Sequence, residues 1–171
     1  DTIQVQISDN GNTGSGGGGN INLGTVNVDI SAVNDAPVLD NVASMQLSNV
    51  VMDNSNPPGN TVTELIQSAG GDRITDVDVG ALEGIAIVGV DDTNGQWEYD
   101  AGGGWTAFGA IDNTSAVVLD LTATVRFVPD AAYVGTSGAL TFRAWDRTDG
   151  NPSGTTGVNV SVNGGTTAYS S

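Results

Sequence analysis

The sequence contains no cysteine, no histidine and no lysine, and its only basic residues are four arginines. Without cysteine and histidine, neither a Ser-His-Asp nor a Cys-His nucleophile system can be assembled. A Cys/His zinc centre and a disulfide framework are excluded on the same ground. The missing lysine removes Schiff-base chemistry and any self-formed isopeptide cross-link. Aromatic residues make up only 5% of the chain. No apolar run approaches the roughly 20 residues that cross a bilayer as a helix. Against four arginines stand 20 acidic residues, for a formal net charge of −16. Such a surface repels nucleic acid and anionic membranes and attracts divalent cations. No nucleic-acid partner and no direct membrane insertion are therefore expected.

What is present is β-forming. Charged residues are 14% and apolar residues 38%, a balance unlike that of disordered acidic tails, which carry dense charge and little Val or Ile. Only three of the acids are glutamate, at positions 64, 83 and 98; the rest are aspartate. Aspartate favours turns and takes hard cations, whereas glutamate favours helices. With 25 glycines, the composition points to an all-β protein of extracellular type.

Strict alternation at Ile3, Val5 and Ile7, and again at Val26, Val28 and Ile30, reads as a long-looped hairpin with its second strand over residues 25–33. Two strands alone are marginal in water, so residues 1–33 are not expected to fold unaided. The four glycines at 16–19 read as a hairpin tip; no GK[ST] ending or helix pattern follows to make them a phosphate cradle. At Asn34-Asp35-Ala36-Pro37 the proline lacks a donor and keeps Ala36 extended, which suits a rigid junction. Residues 34–37 are taken as a linker, 38–163 as one complete sandwich and 164–171 as a tail or the start of a next linker. Strands are expected over 42–51, 84–90, around 97–99, and over 105–108, 117–121, 125–128, 140–145 and 158–162. A tight turn is expected at Asn94-Gly95, and a capping box at Thr61 and Glu64 opens one short helix. Turn signals every 8 to 12 residues favour a sandwich or barrel.

The chain also repeats itself. Residues 3–9 parallel residues 140–146, and residues 26–30 parallel residues 158–162. On this reading residues 1–33 are the last two strands of a preceding module, and the protein is a piece of a tandem array.

Asp76-Val77-Asp78 is the most informative acidic pair. In extended backbone, residues i and i+2 project to one side. At about 4 Å two carboxylates repel by roughly 4 kcal/mol at an effective dielectric near 20, and a divalent ion reverses that sign. Calcium takes six to eight oxygens, and Asn34 and Asp35 can add a carbonyl and a carboxylate. Asp91 and Asp92, beside the Asn94-Gly95 turn, read as turn formers, and Asp53 is a weaker candidate that rests on the family resemblance given below. Trp97, Tyr99 and Trp105 are expected to fill a core otherwise made of small residues. Nothing marks a proton-tuned carboxylate pair, so no catalytic residue is nominated.

Val33-Asn34-Asp35-Ala36-Pro37-Val38 resembles the inter-repeat linker of bacterial cadherin-like repeats found in large surface adhesins of the VCBS and RTX-adhesin type. The segment 126–135 with the strand 140–146, and the segment Ile74 to Leu82, are similar to two further signatures of that family. The resemblance implies a Greek-key, cadherin/Ig-like sandwich, calcium at the junctions, and an adhesive, spacing or biofilm role at the cell surface or in the secreted space. Carried over residue by residue, it implies a calcium set of Asn34, Asp35, Asp76, Asp78 and Asp146, with Asp9 the counterpart of Asp146 in the preceding module. The segment Val162 to Ala168 lacks the Asn-Asp-Ala-Pro element, so a calcium junction is not expected there. The implied partners are neighbouring repeats and a surface glycan or protein. Two alternatives stand beside this reading: a glycan-binding sandwich, and a fibre subunit whose N-terminal hairpin completes a neighbouring chain's sandwich.

Overall fold

The computed structural model describes residues 2–7 and 21–171. They fall into two compact units, Asp1–Val33 and Asn34–Ser171. The first unit is an antiparallel hairpin of β1 (Thr2–Ile7) and β2 (Ile21–Asn27), with Ile3 opposite Val26 and Gln6 opposite Asn22. β2 therefore starts and stops earlier than the alternation indicates. The ladder ends at the Thr2–Asn27 pair, and, among the described residues, 28–33 lie outside it. Asp9 and the glycine run at 16–19 lie outside the described residues.

The second unit is an all-β sandwich with a single short helix. Its elements are β3 (Val38–Leu39), β4 (Asn60–Thr61), α1 (Val62–Gln67), β5 (Ile74–Thr75), β6 (Gly84–Val90), β7 (Gly95–Asp100), β8 (Thr106–Ala107), β9 (Val117–Asp120), β10 (Thr124–Pro129) and β11 (Leu140–Trp145). One sheet has the order β4-β10-β7-β8 and the other β11-β6-β9, all antiparallel; β3 and β5 form a small separate pair. Alternation decides the inner faces. In β7, Trp97 and Tyr99 are buried while Gln96 is exposed. Trp97 meets Phe127 of β10 at 5.3 Å between ring centres, and Tyr99 meets Phe108 at 4.8 Å. Ile85 and Ile87 of β6, Leu119 of β9 and Val125 of β10 complete this core. A second cluster, around the fully buried Trp145 with Ala86, Val118 and Val160, lies on the other face of β6.

α1 forms as its capping box requires. The Glu64 N–H donates to Thr61 Oγ1 at 3.1 Å, and the Glu64 carboxylate accepts from the Thr61 N–H at 2.8 Å. Val62, Leu65 and Ile66 point into the core. Ser68 and Asn60 then reach outward to bond the backbone of Gln46 and Ser48.

Two expected strands are absent. Residues 42–51 are extended in pattern, with Ala43, Met45 and Leu47 turned partly inward, but they form no ladder. The side chains of Ser68 and Asn60 take the backbone donors of Gln46 and Ser48 that a neighbouring strand would use. Residues 158–162 contribute one bridge, Ala116 to Val158. The Asn159 side chain folds back onto the Ser161 N–H, and Val160 N–H bonds Asn113, so the segment turns where alternation called for a strand.

Candidate metal centre at the linker end

The linker runs into the sandwich through side-chain hydrogen bonds. Asn34 Nδ2 donates to Asp146 Oδ2 at 2.8 Å and to the Thr167 carbonyl at 3.2 Å. The Asp35 N–H donates to Asp78 Oδ2 at 2.8 Å, and the Ala36 N–H to the Gly165 carbonyl at 2.8 Å. The structure thus ties all five expected residues into two sets bridged by the Asn34–Asp35 peptide: Asn34 with Asp146, and Asp35 with Asp78 and Asp76.

The Asp76–Asp78 pair corrects the extended geometry expected for it. β5 stops at Thr75, and the Asp78 N–H donates to Asp76 Oδ1 at 2.8 Å. Aspartate favours this turn, in which its own side chain replaces a strand partner. Both carboxylates are half-buried while Val77 and Val79 stand out into solvent. Asp76 Oδ2 is buried and has no hydrogen-bond partner among the described residues. A buried, unpartnered carboxylate oxygen is costly in a low dielectric, and that cost marks the position.

Asp146 differs in kind. It is 1% exposed, and its carboxylate is saturated: Oδ1 accepts from the N–H and Oγ1 of Thr148 at 2.8 and 2.6 Å, and Oδ2 accepts from Asn34. In this arrangement it anchors the linker.

Two acids that the sequence reading passed over belong here. Burial raises the pKa of Glu83 above the ordinary glutamate value, and the charges of Asp72 and Asp76 raise it further. Nothing in the sequence singles Glu83 out; the fold does so by elimination. Of the three glutamates, Glu64 caps α1 and Glu98 pairs with Arg126, while Glu83 has no basic partner among the described residues. Among the described residues, no three acidic side chains converge closely enough to form a metal centre by themselves. The donors are all hard oxygens, Asp76 Oδ2 is buried without a partner, and the charge of Asp76 acts on Glu83, so the residues fit calcium by chemistry.

The weaker candidates are structural. Asp53 Oδ1 accepts the Ala132 N–H at 2.7 Å, Asp91 caps Thr93, and Asp92 accepts the Trp97 N–H at 2.7 Å. The aromatics are in the interior, as their apolar surroundings required: Trp97 is 4% exposed, Tyr99 7% and Trp145 fully buried. Trp105 departs from the core expectation: it is half-buried and outside both apolar clusters, because the Arg126 guanidinium covers its ring at 4.1 Å.

No family model, curated protein or solved structure matches the chain. The fold and its linker end define a class: an all-β sandwich entered through a hydrogen-bonded acidic linker, with a separate hairpin ahead of it.

Proposed function

We propose that this chain is a calcium-rigidified structural repeat of a large extracellular surface protein, with a spacing, cohesive or adhesive role. The observation that carries the reading is the buried, unpartnered Asp76 Oδ2 in the half-buried loop that receives the linker. Asp35, Asp76 and Asp78, with the side-chain or backbone oxygen of Asn34, would hold the ion. When bound, calcium supplies the positive charge that four arginines cannot. The chain's own part is positional. Asp146 fixes Asn34, Asp78 fixes the Asp35 backbone, and the Asx turn at Asp76 holds the Asp78 backbone beside its own carboxylate. An acidic cluster that repels itself leaves the linker free to swing; neutralised, it locks the linker against the sandwich and stiffens an array of such units.

A thermal melt in EDTA and in rising calcium tests this. Binding to the folded state alone adds about 2.7 kcal/mol at a hundredfold excess over Kd, a rise of several degrees for a chain of this size. The Asp76→Ala, Asp78→Ala double variant should lose most of that rise. An unchanged midpoint in millimolar calcium overturns the reading.

A further inference from the structure

We propose that the outer edge of β11, at residues 140–143, accepts a β2 strand from a second copy of this chain. β11 pairs with β6 on one side only. At the Trp145 end, the C-terminal residues occupy the other side: the Ser170 N–H bonds the Ala144 carbonyl at 3.0 Å and the Asp146 N–H bonds the Ala168 carbonyl at 3.1 Å. Towards Leu140 that cover stops. β3 packs close by but pairs with β5, and among the described residues no backbone group bonds this stretch of the edge. Leu140 and Phe142 border a groove of about 920 Å³ shared with Met45, Leu47, Trp97 and Phe127. An unpaired strand edge beside apolar pockets is the receptor half of strand addition.

The internal repeat identifies the donor. Residues 3–9 parallel residues 140–146, so β1 is the counterpart of β11, and β1 is paired with β2. Residues 158–162, the in-chain counterpart of 26–30, bridge towards β9 instead and leave the β11 edge open. Transferring the hairpin register places Val26 opposite Leu140 and Asn22 opposite Arg143. The alternation continues beyond β2 into Val28 and Ile30, which are 45% and 75% exposed and would gain cover. A seven-residue strand spans about 23 Å. The open edge takes about four of its residues, burying on the order of 500 Å², and reciprocal exchange between two copies brings the total to about 1,000 Å², the low end for a specific interface. The charge of −16 on each copy opposes association, so the contact tightens with salt.

The proposal needs no calcium, so its test is run in EDTA and its outcome is separate from that of the calcium titration. Sedimentation of the full chain in moderate salt should show concentration-dependent association. Val26→Pro in β2 should weaken it by at least about tenfold. The Val26→Pro chain keeps its acceptor edge and should still bind a labelled peptide of residues 21–30, in preference to a scrambled one. A chain that stays monomeric at every concentration, association that survives Val26→Pro, or a peptide that fails to bind would each overturn the proposal.

Discussion

Single side chains here work against a strong negative field, and their titration reports it. Burial and the charges of Asp72 and Asp76 raise the Glu83 pKa. An acid whose folded pKa lies above its unfolded value stabilises the fold at low pH, and that contribution is lost as pH rises through the folded value. Glu83→Gln should therefore raise the melting midpoint at pH 7 in EDTA, and the gain should vanish below about pH 4, where both states are protonated. Asp149 has the opposite sign. Burial pushes its pKa up, but hydrogen bonds from Tyr169, Asn151 and Trp145 outweigh that and leave it lowered. Its contribution is present above the unfolded value and lost as pH falls through the folded one. Asp149→Asn should cost about 1 kcal/mol at pH 7, modest because the residue is at the surface, and should flatten the acid limb of a pH–stability curve. Gly84 is constrained sterically: a Cβ there would stand 2.6 Å from the Leu119 carbonyl oxygen and 2.7 Å from Trp145 Cε3. Backbone and a fully buried indole cannot yield cheaply. Chemical denaturation of Gly84→Ala should show a loss of about 2–3 kcal/mol.

Among the elements, those whose partners are local or whose alternation is strict were legible. β7, β10 and β11 follow the apolar period, β6 is an apolar run buried on both faces, and α1 follows its capping box. Residues 42–51 and 158–162 carry the same apolar pattern without becoming strands, because strand formation needs a partner edge and alternation does not reveal where one lies. The candidate site was legible as residue types in order, but its geometry was not. The Asx turn at Asp76 and the saturation of Asp146 by Thr148 depend on which donors the fold brings near. Arg126 shows the same limit. Nothing local marks it, yet it is 7% exposed and clamps Glu98 at 2.7 Å, Asn56 at 2.8 Å and the Pro57 carbonyl at 3.0 Å while covering Trp105. It thereby pins the loop before β4 to the strands β7 and β10. Lysine cannot reproduce a planar fork of five donors. Arg126→Lys should cost about 2 kcal/mol or more by denaturant titration, with the loop at 53–59 gaining hydrogen exchange ahead of the core strands.

The whole molecule holds its charge with little internal compensation. Among the described residues, Arg73 pairs with Asp40, Arg126 with Glu98 and Arg147 more distantly with Asp120, while Arg143 bonds Asn113 and the Ser170 carbonyl. Most acids therefore repel one another through solvent, over a range that mobile ions set. The screening length falls from about 30 Å at 0.01 M salt to about 10 Å at 0.1 M. Raising sodium chloride across that interval should stabilise the fold by on the order of 1 kcal/mol, a rise of about 2–4 °C in melting midpoint. Because screening acts on the net charge, the Asp76→Ala, Asp78→Ala variant should respond to sodium chloride much as the parent does. Calcium at matched ionic strength should raise the parent's midpoint beyond this common increment and leave the variant on it. Magnesium, which keeps its water and demands octahedral geometry, should add little beyond screening to either chain. Equal responses of both chains to calcium would show that the acidic linker end contributes only to the general field, with no ion held there.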